Sequence, residues 1–341
     1  MELIDYYLAS ALPDFSDFKA LIKQDAFNLK YLQNPKPIRG ISQGFLNRLQ
    51  KLNLVDLEKE YVKAKKFGLL RIDQKSYPEI LRKITEPPVY LFVWGKTKAF
   101  NKPSLAFVGS RRATVYGKKS TFNLIFNLQF PWAIISGLAM GIDSFSHQAA
   151  LQSDKLTIAV LGSGFFNLYP SINQKLAQTI VKNGGMVISE YPPHFGPQQY
   201  YFPARNRIIA GLSQAVVVVE GAKHSGSLIT AGLAGRYGRD VLVVPNDIFS
   251  LTSEGCFSLI KQGAKPVFSA EDIEEDYFKL FPKVKISKKT EPILDFLSTP
   301  KHIDEVAKFL SMTSGDTLSY LSKLEVENKI KNLGSGFYQT I

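Results

Sequence analysis

Six short apolar runs between residues 104 and 245 constrain the fold of this chain most strongly. Each run has the length of a strand, leads into Gly, Ser or Pro, and is followed by a segment of helix length. The runs are continuously apolar rather than alternating, which indicates strands buried on both faces, and the alternation with helices indicates a parallel sheet. The pattern therefore predicts a doubly wound, Rossmann-like α/β domain with its ligand site at the carboxyl ends of the strands. The runs are SLAFVGS, AIISG, TIAVLGSG, MVISEY, AVVVVEG and DVLVVP.

The segments on either side of these runs predict further domains. Residues 1–66 show helical periodicity, and PIRGISQGFLNRLQKL weakly resembles a helix-hairpin-helix or SAM-like module, for which simple packing without a DNA contact is the favoured reading. Residues 67–276 form the α/β core, with a strand or two added before residue 104. Residues 277–289 carry five lysines and no acid, which indicates a basic linker. Residues 290–341 fit three helices and a short hairpin, the order of a winged helix.

Composition limits the kind of partner and the compartment. The 341 residues are 45% hydrophobic, as in a globular protein, and their net charge of +12 favours a polyanion. A single cysteine, Cys256, excludes an internal disulfide framework, and the first residues lack the features of a signal peptide, so we expect a cytoplasmic protein. The apolar runs are far shorter than the roughly 20 residues that cross a bilayer, so no membrane helix is expected.

The sequence lacks the motifs of several enzyme classes. The first turn, GSRRATVYG, has no G-x-G-x-x-G, the second strand ends in SGLAMG without an acid, and no P-loop motif is present. The four histidines are scattered without ligand spacing, and Cys256 has no evident histidine partner. Asp143 remains open between a catalytic and a capping role, with capping favoured. We therefore expect neither a cofactor nor a metal.

Three strand-to-helix turns instead predict a basic groove that binds phosphates. Backbone N–H groups and hydroxyls at such turns bind anions, and nearby rings stack exposed bases of single strands. For any one ring, packing in the core is the more frequent role. The groove candidates are Ser110, Arg111, Arg112, Lys118, Lys119, Asn206 between Arg205 and Arg207, Lys223, Ser225, Gly226 and Ser227, with Phe165 among the aromatic residues.

The order of the longest motifs resembles that of one protein family. VGSRRATVYG, ISGLAMGIDSFSHQAAL, AVLGSGFFNLYPSIN and YFPARNRIIAGLSQAVVVVEGAKHSGSLITAG follow one another as in the DNA-processing protein A (DprA, also called Smf) family. The resemblance covers residues 104–276 strongly. It implies a non-catalytic binder of single-stranded DNA that forms a homodimer and loads a RecA-type recombinase on incoming strands during natural transformation.

The resemblance also implies roles for particular residues. The DNA-contacting arginine of the GSR turn falls on Arg111, and those of FPxRNRIIAG fall on Arg205 and Arg207. After YP, members of the family often have a lysine, whereas Ser171 stands here and the nearest lysine is Lys175. The lysine contact is then shifted to Lys175 or lost.

The helix predicted to start near Pro203 carries Arg205 and Arg207 in its first turn, where the helix dipole disfavours cations. We expect one arginine to pair with Glu190 or Glu220, which end neighbouring strands, and the other to face a phosphate. Which arginine does which is left open. The family resemblance also places a dimer contact around CFSLIKQGAKPVF, with Leu259 and Ile260 on its helix.

Two other functions remain as alternatives. The sheet resembles that of lysine-decarboxylase-like phosphoribohydrolases, but EGAKHSGSLITAG lacks their diglycine and glutamate. A sequence-specific regulator would use the winged helix, which is disfavoured because residues 290–341 hold five Lys or Arg against seven Asp or Glu.

Overall fold

The computed structural model describes residues 1–281, 292–310, 312–326 and 329–340. The chain divides into two compact units, Met1–Phe281 and Pro282–Ile341. Residues 282–289 of the predicted basic linker lie outside the described residues. The domain boundaries predicted at residues 66 and 276 stay predictions.

Within residues 1–281, nine strands form one sheet of mostly parallel strands. Its order is β1-β2-β6-β5-β4-β3-β7-β8-β9, and every pair from β6 to β9 is parallel. The first two strands join antiparallel at one edge, which confirms the expected extension before residue 104. The strands are β1 (Gly68–Arg71), β2 (Tyr90–Gly95), β3 (Ser104–Gly109), β4 (Ala133–Ser136), β5 (Thr157–Leu161), β6 (Met186–Ser189), β7 (Ala215–Glu220), β8 (Asp240–Val243) and β9 (Lys265–Pro266).

Helices cover both faces of this sheet, as the continuously apolar strands require. Strands β4, β5, β6 and β7 are buried throughout. The helices of the first unit are α1 (Leu3–Ser10), α2 (Phe15–Lys23), α3 (Leu29–Gln33), α4 (Gln43–Gln50), α5 (Leu54–Ala64), α6 (Glu79–Arg82), α7 (Val115–Asn127), α8 (Ile142–Gln152), α9 (Gln174–Lys182), α10 (Tyr201–Leu212), α11 (Gly226–Arg236), α12 (Glu254–Lys261) and α13 (Ala270–Glu274). Helix α8 packs against α7 and α9, and α10 packs against α11. The doubly wound prediction is confirmed.

The chain adds strands first on one side of β3 and then on the other. From β3 the chain moves through β4 and β5 to β6, and it then returns to the other side of β3 as β7. The turns after β3 and β7 therefore diverge at the carboxyl edge and leave a crevice between them, which is where ligands of open α/β sheets bind.

The N-terminal helices share a hydrophobic core with the sheet. Tyr6 of α1 is fully buried, and its ring packs edge-on against Phe92 of β2 at a centroid distance of 6.0 Å. Phe45 of α4 belongs to the same buried cluster. Helices α1–α5 therefore depend on the α/β sheet for part of their core.

The second unit has the arrangement of a winged helix. Its described elements are, in chain order, α14 (Pro292–Phe296), β10 (Lys301–His302), α15 (Ile303–Leu310), α16 (Ser314–Val326), β11 (Ile330–Gly334) and β12 (Phe337–Thr340). The three strands pair antiparallel in the order β10-β12-β11, over a core that includes Leu297, Val306 and Leu321. Across the described part of the whole chain, no helix combines the length and the apolar character that crossing a bilayer demands.

Candidate nucleic-acid interface

A crevice of about 310 Å³ lies at the carboxyl edge where the sheet reverses direction. Its walls come from the turns after β3 and β7 and from the first turns of α10. Six of the residues predicted for the groove line it together: Arg111, Arg205, Asn206, Ser225, Gly226 and Ser227.

The turn between β3 and α7 presents two exposed arginines. Arg111 and Arg112 are both exposed, and the Arg112 N–H donates to Ser110 Oγ over 3.1 Å. The Arg111 guanidinium lies 5.7 Å from the centre of the Phe202 ring, and Arg111 has no ion pair with any described residue. Its charge is therefore available to an anion at the crevice.

Glu220, at the end of β7, anchors this turn. Its carboxylate is fully buried and accepts the Thr114 N–H over 3.0 Å and the Thr114 hydroxyl. A Cβ at Gly117 would lie 2.4 Å from that carboxylate, so the close approach requires glycine. Glu220 thus serves the start of α7 and pairs with neither Arg205 nor Arg207.

The turn between β7 and α11 forms the facing wall. Ser225 caps α11 by accepting the Ser227 N–H over 3.3 Å, and the two hydroxyl oxygens lie 2.8 Å apart. Gly226 is exposed, and Lys223 is exposed one turn earlier. An open helix start with hydroxyls and a lysine has the donors that phosphate oxygens accept.

Arg205 is buried within the wall, at 5% exposure. Its Nη1 donates to the carbonyl oxygens of Gly137 and Val160, and its Nε donates to Asn206 Oδ1 over 2.9 Å. A Cβ at Gly137 would lie 2.2 Å from the guanidinium carbon, so only glycine leaves room for this side chain. Arg205 joins the ends of β4 and β5 to α10, and a contact with DNA stays a prediction.

Asp143 supports the same wall. Its Oδ2 accepts the N–H groups of Gly137 and Ala139 over 3.1 and 3.4 Å and lies 3.8 Å from Arg205 Nη2. Burial raises the pKa of the Asp143 carboxyl and lowers the pKa of the Arg205 guanidinium. Asp143 therefore has a structural role in the turn before α8, but among the described residues it accepts no N–H of α8 itself, so the favoured capping role is wrong.

Arg207 points into a different cavity, of about 690 Å³, between α10 and the N-terminal helices. Its Nη2 lies 2.5 Å from Glu190 Oε1, and both side chains are mostly buried. Burial opposes the charge of Arg207, but the Glu190 carboxylate outweighs it and raises the pKa of Arg207. Of the two expected pairings, this chain makes the one between Arg207 and Glu190.

The aromatic residues divide into core and surface. Phe165 is only 7% exposed and packs against Phe67 at a centroid distance of 4.7 Å, so the expectation of a ring free to stack bases there is wrong. Phe202, which sequence reasoning missed, lines the crevice beside Arg111. Tyr169 is half exposed, and the centre of its ring lies 5.5 Å from the centre of the Phe202 ring. The signal for Phe202 was its place directly before Pro203 at a helix start.

All four predicted lysines lie outside the crevice lining, Lys223 on the turn before α11 and the other three on α7 and α9. Lys118 and Lys119 are exposed on α7, where the Lys118 ammonium lies 5.4 Å from the centre of the Phe145 ring. Lys175 is exposed in the first turn of α9. Their part in a longer binding path stays a prediction.

The fold and this edge define a doubly wound α/β protein with an anion-receptive crevice at the reversal of its strand order. The family model of DNA recombination-mediator protein A matches residues 68–278. The chain belongs to this family, which mediates recombination and is not a family of enzymes.

Relatives with known names agree with this membership. DNA processing protein DprA of Streptococcus pneumoniae is 42% identical over 233 residues, which are 68% of this chain and 81% of that protein. DprA of Bacillus subtilis is 44% identical over 207 residues, covering 60% of this chain and 69% of that protein.

Two solved structures are also similar. The X-ray structure of DprA from Streptococcus pneumoniae gives a TM-score of 0.70 at 36% identity and covers 81% of this chain and 98% of that one. DNA processing protein A of Helicobacter pylori, described with a unique single-stranded DNA binding mode, gives 0.56 at 30% identity, covering 63% and 96%.

Proposed function

We propose that this chain binds single-stranded DNA without sequence preference at the carboxyl edge of its sheet. The strand's phosphates lie against Arg111, Arg112 and Lys223 and at the start of α11, and bases stack on Phe202 and Tyr169. The observation that carries the proposal is the exposed, unpaired Arg111 at a crevice that also holds an open helix start. The single-stranded DNA binding of the Helicobacter pylori relative supports it.

The geometry of the crevice favours a single strand over a duplex. Within the described part of the first unit, its lining comes from turns and helix starts, and no helix projects from it as a base-reading element does in a major groove. Phosphate contacts position a strand without reading its sequence, and stacking accepts any base. Arg205 and Asn206 shape the wall that the strand meets.

We further propose that the chain acts as a homodimer in the cytoplasm and delivers the strand to a RecA-type recombinase during uptake of DNA. The dimer contact involves Leu259 and Ile260, which are only half-buried on α12. Light scattering at micromolar concentration tests the dimer, and a monomer contradicts it. The rate at which a purified RecA-type recombinase assembles on single strands, with and without this chain, tests delivery.

Binding is tested with labelled oligonucleotides of equal length, one single-stranded and one duplex, titrated with the full chain. We expect tighter binding of the single strand and an affinity that falls by roughly 0.7 log units per log unit of salt for each phosphate neutralised. Equal affinity for the duplex, or an affinity independent of salt, contradicts the proposal.

A further inference from the structure

Three large apolar side chains stand in solvent on the loop between β8 and α12, residues 244–253. Ile248, Phe249 and Leu251 are 75%, 88% and 77% exposed. Clusters of exposed apolar residues mark interaction sites, because a partner that covers them removes apolar surface from water. Among the described residues, Phe249 takes part in no contact between aromatic rings.

Hydrogen bonds within the loop hold these side chains outward. The Phe249 N–H donates to Asp247 Oδ1 over 2.8 Å, and the Ser250 N–H donates to the Asp247 carbonyl over 3.1 Å. The Ser250 and Thr252 hydroxyl oxygens lie 2.9 Å apart. The tip is therefore an ordered turn whose backbone N–H groups donate to Asp247. This backbone conformation leaves the apolar side chains exposed to solvent.

The same loop is joined to both turns of the candidate interface. The Gly221 N–H donates to the Thr252 carbonyl over 2.7 Å, which ties the loop to the turn that carries Lys223. The Tyr116 hydroxyl donates to the Pro245 carbonyl over 2.5 Å, which ties it to the first turn of α7, just after Arg111 and Arg112. The exposed apolar tip thus continues the basic carboxyl edge.

The chemistry of the tip suits bases and not phosphates. Asp247 is the one charged residue of the loop, so the loop has nothing to attract a phosphate. A protein that binds a single strand contacts its phosphates with cations and stacks aromatic rings on its bases. Apolar side chains also wedge between neighbouring bases. A basic edge next to an apolar tip that has no cation offers both the phosphate contacts and the base contacts.

We propose that the tip of this loop, with Phe249 as the principal contact, is a base-stacking platform for the single strand whose phosphates lie along the crevice edge. The inference rests on the proposed single-strand binding and extends its path beyond the crevice, to a loop outside the crevice lining.

The test compares two labelled oligomers of equal length, oligo-dT and an abasic strand with the same phosphates, titrated with the full chain at one salt concentration. Phe249→Ala is expected to weaken oligo-dT binding about fivefold or more, since stacking on an aromatic ring contributes strongly for each base. Binding of the abasic strand is expected to change less than about twofold. Phe249→Tyr keeps a ring face and is expected to retain the binding of oligo-dT.

Phe126→Ala is the matched control, because Phe126 is 44% exposed and lies in the last turn of α7, outside both the loop and the proposed dimer segment. Equal weakening of both oligomers by Phe249→Ala overturns the inference. An unchanged affinity for oligo-dT also overturns it, and a changed mass by light scattering would then assign the tip to a protein contact. Arg111→Ala separates this from the proposed function, because it is expected to weaken both oligomers whether or not Phe249 stacks bases.

Discussion

Two cavities share the first turns of α10 and differ in the sign of their charge. The crevice at the strand reversal is lined by Arg111 and Arg205 with Asp143 as its one acid. The larger cavity under the N-terminal helices is lined by Arg48 and Arg207 with three acids, Asp14, Glu86 and Glu190. The smaller cavity is therefore the anion-receptive one, and cavity size alone points to the wrong place.

The two arginines of α10 show how this difference arises. Arg207 meets a carboxylate at 2.5 Å, so its charge is neutralised within the protein. Arg205 is held mainly by neutral carbonyl oxygens, with its carboxylate at 3.8 Å, so more of its field remains at the crevice. The exposed Arg111 adds a second positive charge there. Internal pairing, rather than residue type, decides which arginine is left for a ligand.

The largest expected effect is on stability, through Arg207. Arg207→Ala strands the mostly buried Glu190 carboxylate and is expected to lower the free energy of unfolding by about 3 to 5 kcal/mol. Urea denaturation measures this. The double variant Arg207→Ala, Glu190→Gln is expected to recover part of the loss. If Arg207→Ala instead weakens DNA binding at unchanged stability, then Arg207 contacts DNA and the assignment of the two cavities is wrong.

Arg111→Ala is expected to act on binding alone. It removes a cation that is free at the crevice, so affinity for a single strand is expected to fall about tenfold or more, or about 1.4 kcal/mol. Since the residue is exposed, the free energy of unfolding should change by less than about 0.5 kcal/mol. Anisotropy titrations beside urea denaturation check both numbers. Arg39→Ala, an exposed arginine on the N-terminal helical segment, is the control that should change neither.

Acid should lower the free energy of unfolding through His147, a residue of α8. This side chain is fully buried, and burial, together with the Arg205 charge, lowers the pKa of His147 to about 3 from 6.5. The unfolded chain takes up a proton near pH 6.5 and the folded chain does not. The contribution to stability is therefore complete above pH 6.5 and is lost as the pH falls from 6.5 towards 3.

At pH 5.5 the loss attributable to His147 is about 1.4 kcal/mol. The measurement is the change in the free energy of unfolding between pH 7.5 and 5.5, compared between the natural chain and His147→Gln. Groups that titrate in both proteins cancel in that difference. An identical pH dependence of the two proteins would mean that His147 is not held neutral beside Arg205.

The smallest effect is expected from removal of the second unit. A chain of residues 1–289 keeps the crevice and the lysine-rich segment, so its affinity for a single strand should fall less than about tenfold. Helix α16 carries Asp316 and Glu325 against Lys323, a charge that does not suit a phosphate backbone. A larger loss at one fixed salt concentration would place primary DNA contacts in the winged helix.

The fold could be predicted from sequence because its signals are local. Runs such as AVVVV at residues 215–219 report burial on both faces, and a parallel sheet follows from their alternation with helices. Turn residues at the strand ends located the carboxyl edge, and six of the predicted residues meet at one crevice. Phe165, one of the groove candidates, packs in the core instead. Sequence could not decide this, because an aromatic residue after a Gly-rich turn has the same local sequence whether it packs inward or outward.

By itself the sequence determined the parallel sheet, the basic carboxyl edge and the family. Strand burial, turn chemistry and motif order all depend on residues that are close together in the chain. Only the tertiary structure decided the partner of each arginine. Arg205 meets Gly137 and Val160, and Arg207 meets Glu190, across separations of 68, 45 and 17 residues. Whether a buried cation meets a carboxylate or a carbonyl oxygen depends on how strands and helices lie beside one another, because charge pairing acts over a few ångströms in space and not along the chain.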